Sequence, residues 1–356
     1  MDNFNYNFKI EDYLVKETHK FDSNILGEYL SDKLDNFSQI SAVGQFDAGQ
    51  SNPTFILESK EGRRVVLRKK PPGELLPSAH AIDREYKVQK ALYDTDVPVA
   101  KMYYYCEDEN IIGTAFYIME YLEGRVFEDT TLPDISPENR REIYDSMNTS
   151  LAALHNVNIK EVGLTDFGRP GSYFTRQIRR WSKQWELSKQ HNMPEMPLLI
   201  NWLTANIPSD DTTTIVHGDY RLGNLIYSLN EPKVIAVLDW ELSTLGHPLA
   251  DLGYNLMHHV QEPKIKMGLK GLNLKSLGIP DKDEYMKNYC KKVNKNSIDT
   301  TFYIVFSLFR NVAILEGVLA RGRAGNASST LAEEKGAVAP YIASLAWKLV
   351  VENNAD

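Results

Sequence analysis

The sequence predicts an α+β fold in two lobes: a small β-rich first lobe with one key helix, and a larger, mostly helical second lobe. Three observations lead there. The chain has 356 residues, roughly twice the length of an ordinary domain. Up to about residue 121 it is built from short runs rich in β-branched and aromatic residues. Beyond residue 122 the apolar spacing turns helical. The expected boundaries are a helical extension over 1–37, a small lobe over 38–122 and a large lobe over 123–356.

The elements follow in order. Asp22 or Ser23 caps a helix through Phe37, with Ile25, Leu26, Tyr29, Leu30 and Leu34 at helical spacing. SQISAVGQF, TFILES and RRVVLRKK read as three strands, separated by DAGQSNP and the turn KEGR. AHAIDREYKVQKALYD reads as a helix, and MYYYCED and AFYIMEY as two further strands around Glu109-Asn110. LEGRVFED connects to the second lobe. There NRREIYDSMNTSLAALHNV and YFTRQIRRWSKQWELSKQ read as helices, and TTIVHGD, NLIYS and VIAVLDW as short strands. From Leu252 to Val351 the pattern is helical, with a charged interruption around Pro263–Pro280.

Composition narrows the function. There are 48 acidic and 40 basic residues, a formal net charge of −8, which argues against a nucleic-acid binder. Two cysteines, Cys106 and Cys290, form neither a zinc site alone nor a disulfide framework. The first residues lack the pattern of a signal peptide, and no run of about eighteen apolar residues suggests a membrane span. The expectation is a cytoplasmic enzyme with a small-molecule partner and with neither nucleic acid nor membrane; nothing sets its oligomeric state.

The densest polar signal is His217-Gly218-Asp219-Tyr220-Arg221-Leu222-Gly223-Asn224, set between the apolar runs Ile215-Val216 and Leu225-Ile226-Tyr227. A second carboxylate, Asp239, stands at the end of VIAVLDWE. All three groups lie where strands enter loops, where reactive side chains are commonly presented. Phosphoryl transfer uses such a set: one carboxylate orients the attacking hydroxyl, and an amide oxygen and a second carboxylate hold Mg²⁺ against the phosphates.

HGDYRLGN resembles the catalytic loop H-R-D-x-x-x-x-N of protein kinases, with the same Asp-to-Asn spacing. Together with LDWE it resembles the aminoglycoside phosphotransferase and choline kinase group. VVLRKKPPGELLPSAHAIDREYKV, LDWELSTLGHPLADLGY and RGRAGNASS make it most similar to a subgroup that includes kinase-like domains fused to some acyl-CoA dehydrogenases. The likeness runs from about Ser41 to about residue 345 and implies a protein-kinase-like fold, with ATP (or alternatively GTP) and Mg²⁺ as cofactors. It implies Asp219 as catalytic base or hydroxyl-positioning group, with Asn224 and Asp239 as metal ligands. Gly49, Gln50, Ser51 and Asn52 fall in the loop over the phosphates, which has one glycine in place of G-x-G-x-x-G. Arg68 occupies the phosphate-binding lysine position of V-A-I-K, with Lys70 two residues on as the other candidate. Glu85 matches the glutamate that orients this cation, and Glu120, Tyr121 and Leu122 match the hinge that meets adenine.

Residues outside these motifs are read more plainly. His217 braces the catalytic loop, and Asp251 caps a helix and ties the loop down. Adjacent His258 and His259 point apart on a helix and do not share a metal. Arg180 and Trp181, in a basic-aromatic helix, and Arg321, in ARGRAGNAS, are candidates for contact with an anionic acceptor. The function expected is phosphorylation of a small-molecule hydroxyl, of a hydroxyacyl or hydroxyacyl-CoA type by the subgroup resemblance. Aminoglycoside or choline-like acceptors and a nucleotide-binding pseudokinase scaffold are the alternatives.

Overall fold

The computed structural model describes residues 10, 13–46, 52–72, 80–263, 267–324 and 332–353. They form two compact units: Met1–Glu123 with Asp239–Glu241, and Gly124–Leu238 with Leu242–Asp356.

The first unit is a five-stranded antiparallel sheet in the order β1-β2-β3-β5-β4. The strands are β1 (Ile40–Gln45), β2 (Thr54–Ser59), β3 (Arg64–Lys69), β4 (Met102–Cys106) and β5 (Phe116–Glu120). Because successive side chains face opposite sides of a strand, the sheet has two cores. Phe55, Leu57, Val65, Leu67, Phe116 and Ile118 pack on one face with Leu26 and Leu30 of helix α1 (Ser23–Ser31). Val66, Tyr117 and Met119 pack on the other with Ile82 of helix α2 (Ile82–Leu92). Asp22 caps α1 by accepting from the amides of Asn24 and Ile25. The helix ends at Ser31, short of the expected Phe37, and Leu34 and Phe37 reach the core from irregular chain beyond it. The segment read as an N-terminal extension thus supplies part of this unit's core.

The second unit is mostly helical. It contains α3 (Pro137–Asn156), α4 (Tyr173–Ser188), α5 (Glu195–Ala205), α6 (Leu249–Val260), α7 (Leu274–Leu277), α8 (Lys282–Lys292), α9 (Thr301–Arg323), α10 (Ala332–Ala337) and α11 (Ala339–Asn353). Ser136 accepts from the Asn139 amide and Pro137 opens α3, a pairing suited to a helix start. The long helix α9 is the central element, packed against α4, α6 and α11. Two small ribbons position the polar loops. β6 (Thr214–Val216) pairs antiparallel with β9 (Thr244–Gly246), and β7 (Leu225–Tyr227) with β8 (Val234–Val237).

Candidate active site

In the second unit the HGDYRLGN loop leaves β6 and enters β7. Gly218 has φ +85°, and a side chain there would sit 2.8 Å from the Leu242 carbonyl oxygen, so only glycine makes this turn without strain. The two amides that open the loop are held by one buried carboxylate: Asp251 accepts from His217 N at 2.7 Å and Gly218 N at 2.9 Å. Burial pushes the Asp251 carboxyl up. Its hydrogen bond with His155 and the neighbouring His217 outweigh that and hold it below the ordinary value.

His217 works through both ring nitrogens. Nε2 donates to the Leu238 carbonyl at 2.7 Å, and Nδ1 accepts from the Asp219 amide at 3.2 Å. These partners set a neutral ring protonated on Nε2. One imidazole therefore fixes both the backbone of Asp219 and the residue preceding Asp239.

Asp219 is 26% exposed at its side chain. Asn224 Nδ2 donates to its Oδ2 and to its backbone carbonyl, each at 2.8 Å. With its NH₂ so engaged, Asn224 turns its amide oxygen to the other fork, where it can meet a cation. Arg221 Nε stands 3.5 Å from Asp219 Oδ2. The Tyr254 hydroxyl also hydrogen-bonds Asp219. Burial, then the Asp219 charge, raise the Tyr254 pKa, so the phenol keeps its proton and donates it.

The first unit holds a second constellation. Arg68 Nε lies 2.7 Å from Glu85 Oε2, a close charge contact whose N–H does not point at the oxygen. Arg68 Nη2 donates to Asp239 Oδ1 at 3.3 Å. Burial works against the charge of Arg68, but Glu85, Tyr117 and Asp239 raise its pKa above the ordinary value. Glu85 is 1% exposed and accepts from Asn52 Nδ2 at 2.7 Å and Tyr117 Oη at 3.0 Å. Asp239 has φ +63°, an uncommon conformation for a side-chain-bearing residue. One of its oxygens is on Arg68, which leaves the other for a ligand. The Asn224 amide oxygen and the Asp239 carboxylate are each hard donors of the type Mg²⁺ takes.

The remaining candidates divide. Gly49, Gln50 and Ser51 lie outside the described residues. Asn52 is fully buried, and its amide is spent on Glu85 and on His80 Nδ1, 3.0 Å away; it braces the ion pair. Lys70 follows the last residue of β3, while Arg68 makes the contacts with Glu85 and Asp239. Glu120 ends β5 and accepts from the Lys101 amide at 3.2 Å, and Tyr121 and Leu122 pack half-buried against the Val66–Met119 core. Arg180 stacks on Trp181 with 5.3 Å from Cζ to the ring. Arg321 is exposed in the last turn of α9. His155, Tyr254 and Arg310 were not anticipated from sequence. Arg310 did leave a signal, a lone arginine in the apolar run FSLFRNVAIL.

Near the end of α6, His258 is buried and His259 half-buried. His258 Nδ1 bonds Gln261 Oε1 at 3.3 Å and His259 Nε2 donates to the Pro280 carbonyl at 3.0 Å. Burial pushes His258 down to about 4. The unfolded chain takes up a proton on this ring near pH ~6.5, whereas the folded state refuses it until about pH 4. Stability is therefore complete above the unfolded value and falls as pH drops through this window. Melting temperature against pH should show that slope, and His258→Gln should make it shallower. An unchanged slope would remove His258 from the account.

Comparison with known proteins bears on this geometry. The profile described as "Phosphotransferase enzyme family" matches residues 42–271. The chain belongs to that family. With the family comes the enzyme class, a phosphotransferase with an alcohol group as acceptor. A crystal structure described as a putative aminoglycoside phosphotransferase from Ralstonia eutropha is 46% identical, with TM-score 0.85 over 94% of this chain and 99% of that one. A ternary complex of aminoglycoside phosphotransferase APH(4)-Ia with AMP-PNP and hygromycin B, 12% identical with TM-score 0.60, covers 91% of this chain and 98% of that one and shares the fold. Mouse acyl-CoA dehydrogenase family member 10 is 42% identical over 94% of this chain and 31% of its own length. Human acyl-CoA dehydrogenase family member 11 is 42% identical over 88% of this chain and 41% of its own length. The chain thus spans less than half the length of these curated relatives.

Proposed function

We propose that this phosphotransferase uses ATP and Mg²⁺ to phosphorylate the hydroxyl of a small anionic metabolite of the hydroxyacyl or hydroxyacyl-CoA type. The observation that carries the chemistry is Asp219 held by the Asn224 amide at 2.8 Å, on a loop whose amides are pinned by Asp251. That carboxylate, partly exposed and fixed at its backbone by His217, orients an acceptor hydroxyl and takes its proton. Arg68, itself held by Glu85, presents a fixed cation to phosphate oxygens. Asn224 and Asp239 hold the metal, which when bound neutralises phosphate charge. The acyl part of the reading draws on the relatives' names and on charge: Arg180 and Arg310 both lie against the Trp181 ring, with Cζ 5.3 and 5.4 Å from its centre. Two arginines on one indole suit an anion better than a polyamine.

ATP consumption against hydroxy acids, their CoA thioesters, amino alcohols and aminoglycosides tests the acceptor. Turnover confined to the last two classes would refute it. Mg·ATP should also raise the melting temperature, and Asp239→Ala should abolish that rise. A rise that survives in Asp239→Ala would take the metal away from this residue.

A further inference from the structure

We propose that the buried guanidinium of Arg310 anchors a carboxylate carried by the acceptor. The word acceptor rests on the phosphotransferase reading; the anion site itself does not.

Arg310 sits in the middle of α9 and is 7% exposed. An arginine offers five N–H donors. Among the described residues, one of these finds a protein acceptor: Nη2 donates to the Gly218 carbonyl at 2.5 Å. Nε is buried with no hydrogen-bond partner, and no carboxylate of the described residues lies within ion-pair distance. Aromatic faces hold the cation instead, Trp181 at 5.4 Å and Tyr254 at 5.8 Å from Cζ.

Two other buried arginines show what is missing. Arg140, also 7% exposed, donates to three carbonyls, those of Leu132, Pro133 and Leu277. Arg68 is paired with Glu85 and Asp239. A desolvated charge left without an answering group is unfavourable, and of these three Arg310 alone has neither a paired carboxylate nor a set of carbonyls around it. Its position gives the reason. Gly218 is the residue before Asp219, and Tyr254, stacked on the guanidinium, hydrogen-bonds Asp219 itself. An oxyanion on the idle edge of Arg310 would therefore be fixed beside the carboxylate that receives the acceptor hydroxyl. The planar fork of a guanidinium matches a carboxylate in two parallel bonds.

Lactate and its neutral isostere lactamide test this without nucleotide, by calorimetric titration and tryptophan fluorescence. Lactate is expected to bind the wild type at least ~10-fold more tightly, the usual advantage of a charge-assisted hydrogen bond, with a fluorescence change that Trp181→Phe removes. Arg310→Gln is expected to erase the preference. Equal binding of both ligands by the wild type, or a preference that survives in Arg310→Gln, overturns the anchor. Should Arg310→Gln not fold, Arg310→Lys keeps the charge and loses the fork. Weaker lactate binding with the preference retained supports the anchor, and equal loss for both ligands overturns it. Lactate bound at Arg310 in an enzyme that phosphorylates no alcohol would refute the phosphotransferase reading and leave the anchor standing. Transfer confined to neutral or cationic alcohols would do the reverse.

Discussion

Replacing Asp219 by alanine is expected to lower phosphoryl transfer by about 10²–10⁴-fold, the usual contribution of a positioned general base, while the protein still folds and binds nucleotide. The fold should survive for a specific reason. Asn224 Nδ2 donates both to the Asp219 carboxylate and to its backbone carbonyl; alanine removes the first acceptor and keeps the second. The loop is otherwise pinned through backbone groups by His217 and Asp251, none of which touches the Asp219 side chain. Asp219→Asn separates charge from shape. It keeps a polar group of the same size but has no basic oxygen, so it should be as inactive as alanine if the carboxylate takes the proton. Melting temperature, Mg·ATP stabilisation and single-turnover transfer measured on both variants decide the matter. Near-wild-type transfer by either variant would sink the assignment.

What could be read from the sequence was what lies close along it. Asp219 and Asn224 share one loop, and their spacing reports their contact directly. The five strands of the first unit are five or six residues each, long enough to show alternation. β9 is three residues long and shows none, so only its pairing with β6 reveals it. α1 ends early because Leu34 and Phe37 keep the helical spacing although the chain has left the helix; spacing of buried residues is evidence of burial before it is evidence of a helix. The parts of the site that escaped notice are joined across long stretches of chain. Arg310 reaches Gly218 over 92 residues, and His155 reaches Asp251 over 96. Local periodicity carries no information about such pairs. The single hint, a charged residue inside an apolar helix, marks that something buried must answer the charge without saying what.

Glu85→Ala is expected to destabilise the protein by about 3–5 kcal/mol, the cost of breaking one side of a buried ion pair. The variant strips Arg68 of its nearest counter-charge in a site where it is 8% exposed, and leaves it Asp239 at 3.3 Å. It also orphans Asn52 Nδ2 and the Tyr117 hydroxyl, both of which donate to Glu85, and an unsatisfied buried donor carries its own penalty. Glu85→Gln keeps one amide oxygen, an acceptor for one of these two groups, and loses the charge, so it should fall between alanine and wild type. The informative variant is the double one. Replacing both members of a buried pair by apolar residues of similar size is often neutral or stabilising. Glu85→Leu with Arg68→Met should therefore recover much of the stability lost in Glu85→Ala. It should recover none of the activity, because no cation remains to meet phosphate oxygens and Asp239 loses its partner. Thermal unfolding and ATP turnover on the same four proteins test this. Were the double variant both stable and active, the pair would be dispensable to the reaction; were it as unstable as Glu85→Ala, its purpose would be structural. Recovery of stability without activity would show that this ion pair is kept for chemistry at a cost to the fold.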